Sequence, residues 1–216
     1  MGCPKGYRKP SEPGAVPGRK GYRSAVAFLV VAIVGLAFGA ADQFLGSLSI
    51  TLGPWAATAA QVSAPWLVLP FLAGMAQVRA RRAAILGLLV SVSALLGYFA
   101  MTYSPIEIHP WTWHRFTTGL VAITTRGWYN PLYILGGVAT GPLFGLLGQR
   151  WRVRRWWVSA AFVAGAICLE PLARFGAGEL MPPAPVWVVE VALGAVVATL
   201  FTITVVLSRQ GGVTRT

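Results

Sequence analysis

Three acidic side chains lie inside apolar stretches of the sequence, where an ionised group is energetically unfavourable. The chain has six Asp and Glu residues, and apolar sequence surrounds Asp42, Glu170 and Glu190. A charged side chain near the centre of a bilayer costs about 2.5–3.5 kcal/mol on the insertion scale, so such residues commonly mark binding, conduction or pairing. These carboxylates are the first candidates for chemistry.

Further polar and aromatic residues are predicted at a similar depth. Two amides lie on neighbouring stretches, a long loop contributes an arginine beside aromatic residues, and a second arginine follows Glu170 by one helical turn. A few convergent polar groups among apolar and aromatic ones are typical of a small-molecule pocket. We therefore predict an outward-facing ligand site formed by Asp42, Gln43, Gln61, Arg126, Trp128, Tyr129, Asn130, Glu170, Arg174 and Glu190.

Two other interpretations of the same residues stay open. In a purely structural network, Glu170 pairs with Arg174 four residues later, while Arg126 or backbone groups satisfy Asp42 and Glu190. Alternatively, the acids conduct ions or protons, which we consider less favoured because the opposite halves of the helices offer no matching polar path.

A metal site or cofactor is not predicted. One loop alternates acidic, imidazole and indole side chains at Glu107, His109, Trp111, Trp113 and His114. Two histidines without a third strong ligand are a weak metal pattern, and anchoring at the membrane interface explains the tryptophans better. The two cysteines lie far apart along the chain and indicate neither a disulfide nor a thiolate site.

An enzyme is not predicted either. The chain contains no nucleophile elbow, no zinc-protease helix motif and no phosphate-binding loop. An acid–base pair of Glu170 and Glu190 inside the membrane is the enzymatic alternative.

The elements that must position these residues are six apolar stretches. Hydrophobic residues make up 56% of the chain and charged residues 11%, against about 25% charged in soluble domains. About 20 apolar residues span a bilayer as a helix, and these runs lack the alternation of barrel strands. We predict an all-α bundle of six transmembrane helices near residues 25–45, 54–78, 83–103, 131–148, 156–173 and 185–207.

The distribution of charge predicts the orientation. The net charge of +12 first raises the possibility of a nucleic-acid partner. However, 15 of the 18 Lys and Arg residues fall on one side of the predicted bundle, so they act as a positive-inside signal with both termini in the cytoplasm. No nucleic-acid partner is expected. Residues 1–23 read as a disordered basic cytoplasmic tail, residues 24–208 as the membrane domain and residues 209–216 as a short cytoplasmic tail.

Two further features concern loops and packing. The connection between helices three and four has 27 residues, and its apolar part, 116–125, is too short to span, so we predict a short interfacial or re-entrant helix there. Small residues at four-residue spacing, such as Gly35 with Gly39 and the Gly137, Gly141, Gly145 series, predict close helix packing or a subunit contact.

The six-helix arrangement and the Gly-Pro-rich stretch Tyr133-Ile-Leu-Gly-Gly-Val-Ala-Thr-Gly-Pro-Leu-Phe-Gly-Leu-Leu-Gly148 resemble the substrate-binding S components of energy-coupling factor vitamin transporters. The chain also resembles small integral membrane proteins of high-GC, actinobacterial-type bacteria, a family of unknown function. The first resemblance implies a vitamin-like solute captured from outside, a membrane coupling subunit, cytoplasmic ATPases, and a docking motif at Ala37 and Ala41.

The sequence therefore predicts a multi-pass protein of the inner, or plasma, membrane that serves as a solute-binding or transport component. The alternative is a structural or assembly protein of the membrane without a ligand.

Overall fold

The computed structural model describes residues 18–103, 112–114, 117–118, 121, 131–178 and 184–213. The protein is all-helical over these residues, as predicted. The predictions for residues 1–17, for most of the long loop and its re-entrant helix, and for Arg126, Trp128, Tyr129 and Asn130 lie outside the described residues.

Eight helices make up the described fold. They are α1 (Gly18–Ser47), α2 (Ser49–Leu52), α3 (Pro54–Ala59), α4 (Ala64–Met75), α5 (Ala80–Tyr103), α6 (Pro131–Arg154), α7 (Trp157–Gly176) and α8 (Ala184–Val213). Helix α1 begins inside the segment predicted as a tail, and α8 continues past the predicted end of the membrane domain. Gly53, with φ of 92°, joins α2 to α3 through a conformation that favours glycine.

Among the described residues, five segments are long and apolar enough to cross a membrane. They are Ala25–Ser47, Pro54–Met75, Ala80–Thr102, Trp157–Gly176 and Ala184–Thr204. This composition fits a multi-pass integral membrane protein. Helix α6 is not among the five. A count of six spans stays a prediction.

Close contacts at glycines fix the relative direction of α1 and α5. Gly35 lies against Val90, and Gly39 lies against the backbone of Ala94. Residue numbers rise together along the two helices, so they run parallel. A Cβ added at Gly39 would collide with the Ala94 carbonyl, which is why glycine is needed where the two backbones approach.

Helix α6 runs antiparallel to α5 and packs along much of its length. Gly145 lies against Ala83 near the start of α5, whereas Gly137 lies against Leu95 near its end. The prediction that the Gly137, Gly141, Gly145 series serves close packing within the chain is therefore confirmed, as it is for Gly35 and Gly39. By contrast, Ala37 and Ala41 are exposed.

The relative directions of the helices also define two ends of the bundle. The start of α5 lies beside the end of α6, and α7 and α8 run antiparallel because Gly194 meets Cys168 while Trp187 meets Arg174. We call the end formed by the end of α4, the start of α5, the end of α6 and the start of α7 the basic end, since it carries the arginine-rich connections. The opposite end, which holds Asp42, Glu170 and Glu190, is called the acidic end.

An aromatic cluster forms part of the core between α4, α6 and α8. Trp151 and Phe71 are 1% and 2% exposed. Both rings meet Phe201 of α8 edge to face, with centroids 4.5 Å and 5.8 Å away. Aromatic pairs in this geometry add about 0.5–1.5 kcal/mol each beyond their buried area. This cluster packs α8 against α4 and α6.

The second predicted span is not one helix. The sequence predicts a continuous helix over residues 54–78, but α3 ends at Ala59 and α4 begins at Ala64. We call residues 60–63 the helix break. It lies inside the apolar segment Pro54–Met75, so its backbone groups need partners other than water.

Candidate functional site at the helix break

Pro65 accounts for the helix break. A proline has no N–H and its ring clashes with the carbonyl four residues earlier. For Pro65 that carbonyl belongs to Gln61, the second residue of the break. Proline is tolerated in the first turn of a helix, where Pro65 stands in α4. The sequence therefore ends one helix and starts another, leaving the Gln61 carbonyl without its usual donor.

Glu170 of α7 satisfies the beginning of α4. Both carboxylate oxygens accept from the backbone N–H of Ser63, at 3.0 Å and 2.9 Å, and Oε1 also accepts from the Ser63 hydroxyl at 2.7 Å. A carboxylate is favoured at a helix N-terminus because the exposed amides and the helix dipole are positive there. Glu170 thus caps α4 from a helix more than 100 residues away in the chain.

Arg174 satisfies the other side of the break. Its Nη2 donates to the Gln61 carbonyl at 2.6 Å, which supplies the donor that Pro65 lacks. Its Nε donates to Glu170 Oε1 at 2.9 Å, and the ion pair closes at 2.8 Å between Nη2 and Oε1. The predicted pairing of Glu170 with Arg174 is confirmed. The guanidinium also lies over the Trp187 ring of α8, 5.5 Å from its centroid.

Glu190 lies beside this network, with its carboxyl group next to that of Glu170. The residue is 2% exposed, and its carboxyl group is a close neighbour of Glu170 and feels the charge of Arg174. Neither oxygen of Glu190 meets hydrogen-bond geometry with a donor among the described residues. A buried carboxylate without a partner is costly, and a neighbouring carboxylate adds repulsion when both are ionised. Glu190 is thus the unsatisfied group of the cluster.

Asp42 belongs to a different group. Trp66 Nε1 of α4 donates to Asp42 Oδ2 at 3.3 Å. The Trp66 ring packs edge to face against Phe38 and Tyr98, with centroid distances of 5.2 Å and 6.1 Å. No hydrogen bond among the described residues joins Asp42 to Glu170 or to Arg174. Gln43 follows Asp42 in α1 and is half-buried.

A small apolar crevice lies beside Trp66, on the side facing α1 and α5. It is too narrow to hold a water molecule. Its lining consists of Phe38, Trp66, Leu69, Pro70, Val90, Ser91 and Ala94. None of the predicted ligand residues lines it. The structure therefore separates the acids of the acidic end into an Asp42–Trp66 contact and the group around the helix break.

The sequence pointed to Gln61 because of its depth, but the contact to Arg174 is made by its backbone carbonyl. Ser63 and Trp187 were not predicted as site residues, although both contact the Glu170–Arg174 pair. Pro65 inside an apolar run was the available signal for Ser63, since it marks a place where backbone groups lose their helical partners.

The described residues contain no group of three or more His, Cys, Asp or Glu side chains able to hold a metal ion. The chain matches no known protein family, no curated protein and no solved structure.

Proposed function

We propose that this protein is a solute-binding or transport component of the inner membrane, and that Glu190 recognises the solute beside the helix break. The observation that carries the proposal is the Glu190 carboxylate, 2% exposed and without a hydrogen-bond donor among the described residues. Glu170 next to it has its donors from Ser63 and Arg174. Glu190 is therefore the carboxylate with hydrogen-bonding capacity left for a ligand.

The chemistry of the site favours a solute with a cationic or amino group. One arginine, Arg174, faces two carboxyl groups, Glu170 and Glu190. A positively charged nitrogen would balance the second carboxylate and give it the donors that it lacks. The proposal assigns binding, and not catalysis, to these carboxylates.

The helix break supports the same location. Discontinuous membrane helices in transporters commonly surround the substrate, because their free backbone ends offer polar groups at membrane depth. Irregular backbone at that depth is otherwise expected only where protein buries it. In this chain the break lies within the apolar segment Pro54–Met75. Glu170 binds Ser63 of the break and is also the neighbour of Glu190.

Ligand-induced thermal stabilisation of the purified protein tests the proposal. Wild-type protein is titrated with small cationic and amino-bearing vitamins, thiamine and pyridoxamine among them, and with anionic biotin for comparison. A ligand at 100 times its dissociation constant stabilises by about 2.7 kcal/mol, which is a readily measured rise in melting temperature. Glu190→Gln should abolish the rise and leave expression intact, whereas Asp42→Asn reports whether the second acid contributes.

A matched control is Thr202→Val. Thr202 is on the same helix, is exposed and bonds only its own helix at Ala198, so ligand stabilisation should remain. If no solute of the panel stabilises the wild-type protein more than the Glu190→Gln variant, the proposed recognition by Glu190 is wrong.

One observation favours the second candidate function, a structural or assembly protein without a ligand. Glu170 and Arg174 have all their hydrogen bonds within the chain, where they join α7 to the helix break. On this alternative, Glu190→Gln raises the melting temperature, because it removes a buried carboxylate that binds nothing, and no solute changes it further.

Three parts of the proposal concern the membrane. We propose α6 as a sixth crossing, supported by its antiparallel packing along α5, and the basic end as the cytoplasmic side. We also propose that the energy comes from partners, namely a membrane coupling subunit and cytoplasmic ATPases, supported by the resemblance to vitamin-transporter S components. Affinity purification from native membranes identifies such partners directly.

A further inference from the structure

The two arginine-rich connections of the chain meet at the basic end. Gln149 of α6 donates its side-chain amide to the Val78 carbonyl at 2.8 Å, and Arg152 Nη1 donates to the Met75 carbonyl at 3.0 Å. These bonds satisfy carbonyls at and just beyond the end of α4, which have no helical donor. The turn from α4 to α5 is thereby held against the last turns of α6.

This meeting point concentrates positive charge, and no acid of the described residues lies there to balance it. Its exposed arginines are Arg79, Arg81, Arg82, Arg150, Arg152, Arg154 and Arg155. The acids of the described residues, Asp42, Glu170 and Glu190, all lie at the acidic end. Seven like charges in one place repel each other unless an anion binds between them.

The surroundings indicate at which depth that anion lies. Arg79 directly precedes the apolar segment that begins at Ala80, and Arg155 stands two residues before the one that begins at Trp157. Trp156 and Trp157 are exposed there, and exposed tryptophans favour the interface between water and lipid. The Arg150 guanidinium lies over the Trp156 ring at 5.3 Å. The arginines are therefore held at the level of lipid headgroups.

We propose that the surface between the α4–α5 turn and the α6–α7 connection binds anionic phospholipid through its headgroup phosphate. The guanidinium fork matches phosphate oxygens in a bidentate manner, which an ammonium group cannot do. Every basic residue at this surface is arginine rather than lysine. The site is distinct from the Glu190 site at the acidic end and does not depend on it.

Titration of the delipidated full-length protein with phosphatidylglycerol tests the proposal, with melting temperature and lipid-bound mass as readouts. Phosphatidylglycerol should stabilise the wild-type protein, and phosphatidylcholine should not. The triple variant Arg81→Gln, Arg82→Gln, Arg154→Gln should raise the half-saturating lipid concentration about tenfold or more. These three side chains make none of the bonds that hold the turn, so the variant should fold.

The matched control removes the same charge from the start of α1, through Arg19→Gln, Lys20→Gln and Arg23→Gln. If the site is specific, this variant binds phosphatidylglycerol like the wild type. Equal losses in both triple variants would overturn the proposal in favour of unspecific attraction, and equal stabilisation by phosphatidylcholine would also overturn it. Equal stabilisation by inorganic phosphate alone would assign the site to a free anion instead of a lipid.

Discussion

Arg174 does two tasks with one guanidinium group. Its Nε and Nη2 both lie within 3 Å of the Glu170 carboxylate, and Nη2 also donates to the Gln61 carbonyl. The planar guanidinium presents both donors in a fixed geometry, whereas a lysine offers one point charge on a mobile stem. The same guanidinium neutralises Glu170 of α7 and donates to the Gln61 carbonyl of the helix break. Charge and helix geometry are therefore coupled through one side chain.

We expect Arg174→Met to be destabilising, and less so when Glu170 is already changed. Removing one partner of a fully buried ion pair costs about 3–5 kcal/mol, and the 23% exposure of the Arg174 side chain lowers this to about 2 kcal/mol. On a Glu170→Gln background no unpaired charge remains, and the loss should fall to about 1 kcal/mol. A double-mutant cycle of chemical unfolding in detergent measures the difference. Equal losses on both backgrounds would contradict the assigned coupling.

At the level of single residues, the sequence predicts the ion pair but not its purpose. Glu170 and Arg174 are four apart, and that spacing alone places them on one helix face. Ser63 could not be found in this way, because its contact to Glu170 spans 107 positions and depends on the packing of α7 against the break. The lack of a described hydrogen-bond donor at Glu190 is likewise a result of tertiary packing, because packing decides which donors reach a carboxylate.

At the level of helices, backbone contact replaces side-chain burial as the main packing device. The backbones of α4 and α6 meet at Gly74 and Gly145, and those of α1 and α5 at Gly39 and Ala94. Lipid offers no hydrophobic drive for helices to associate, so van der Waals contact between closely approaching backbones contributes instead. Larger side chains at these positions would separate the helices along their whole length.

Gly74→Ala tests this packing. The added Cβ would collide with the Gly145 carbonyl, and overpacking of this kind typically costs about 1–3 kcal/mol. Gly136→Ala is the matched control, because a Cβ at Gly136 meets nothing within 4 Å and alanine is the better helix former. Unfolding in detergent should show a loss for Gly74→Ala and no loss for Gly136→Ala. A similar response of both variants would refute the assignment.

Most helices were predictable because hydropathy over about 20 residues follows the thickness of a membrane. The same averaging hides the helix break, since Ala60 to Ser63 are not polar enough to interrupt an apolar run. Pro65 alone does not decide the matter, because membrane helices tolerate internal prolines, as α7 does at Pro171. What separates the two cases is the presence of Arg174 and Glu170, which stabilise the broken form.

Considered as a whole, the molecule is polarised along the bundle axis. The three acids of the described residues lie at the acidic end, and seven exposed arginines lie at the basic end. Helix α1 runs from the basic towards the acidic end, in parallel with α5. Helix α8, antiparallel to α7, returns towards the basic end. The start of α1 and the end of α8 therefore lie at the same end of the bundle, as the proposed six crossings require.

Reporter fusions test this arrangement. Fluorescent protein fused after residue 216 should be bright, and alkaline phosphatase fused there should be inactive, because both outcomes require a cytoplasmic C-terminus. Alkaline phosphatase fused after Gly178, at the acidic end, should be active. Activity at both positions would mean that α8 does not cross and would contradict the six-span proposal.

The helix break also has a consequence for the order of synthesis. Ser63 leaves the ribosome 107 residues before Glu170, which at about 5–20 residues per second corresponds to at least about 5 s. During that interval α3 and α4 are already made while the side chains that satisfy their backbone are not. The backbone N–H groups at the helix break therefore lack their final partners until α7 is synthesised. The nascent chain has to stay at the insertion machinery during that time. Chains truncated before α7 should consequently remain with the insertion machinery or be degraded.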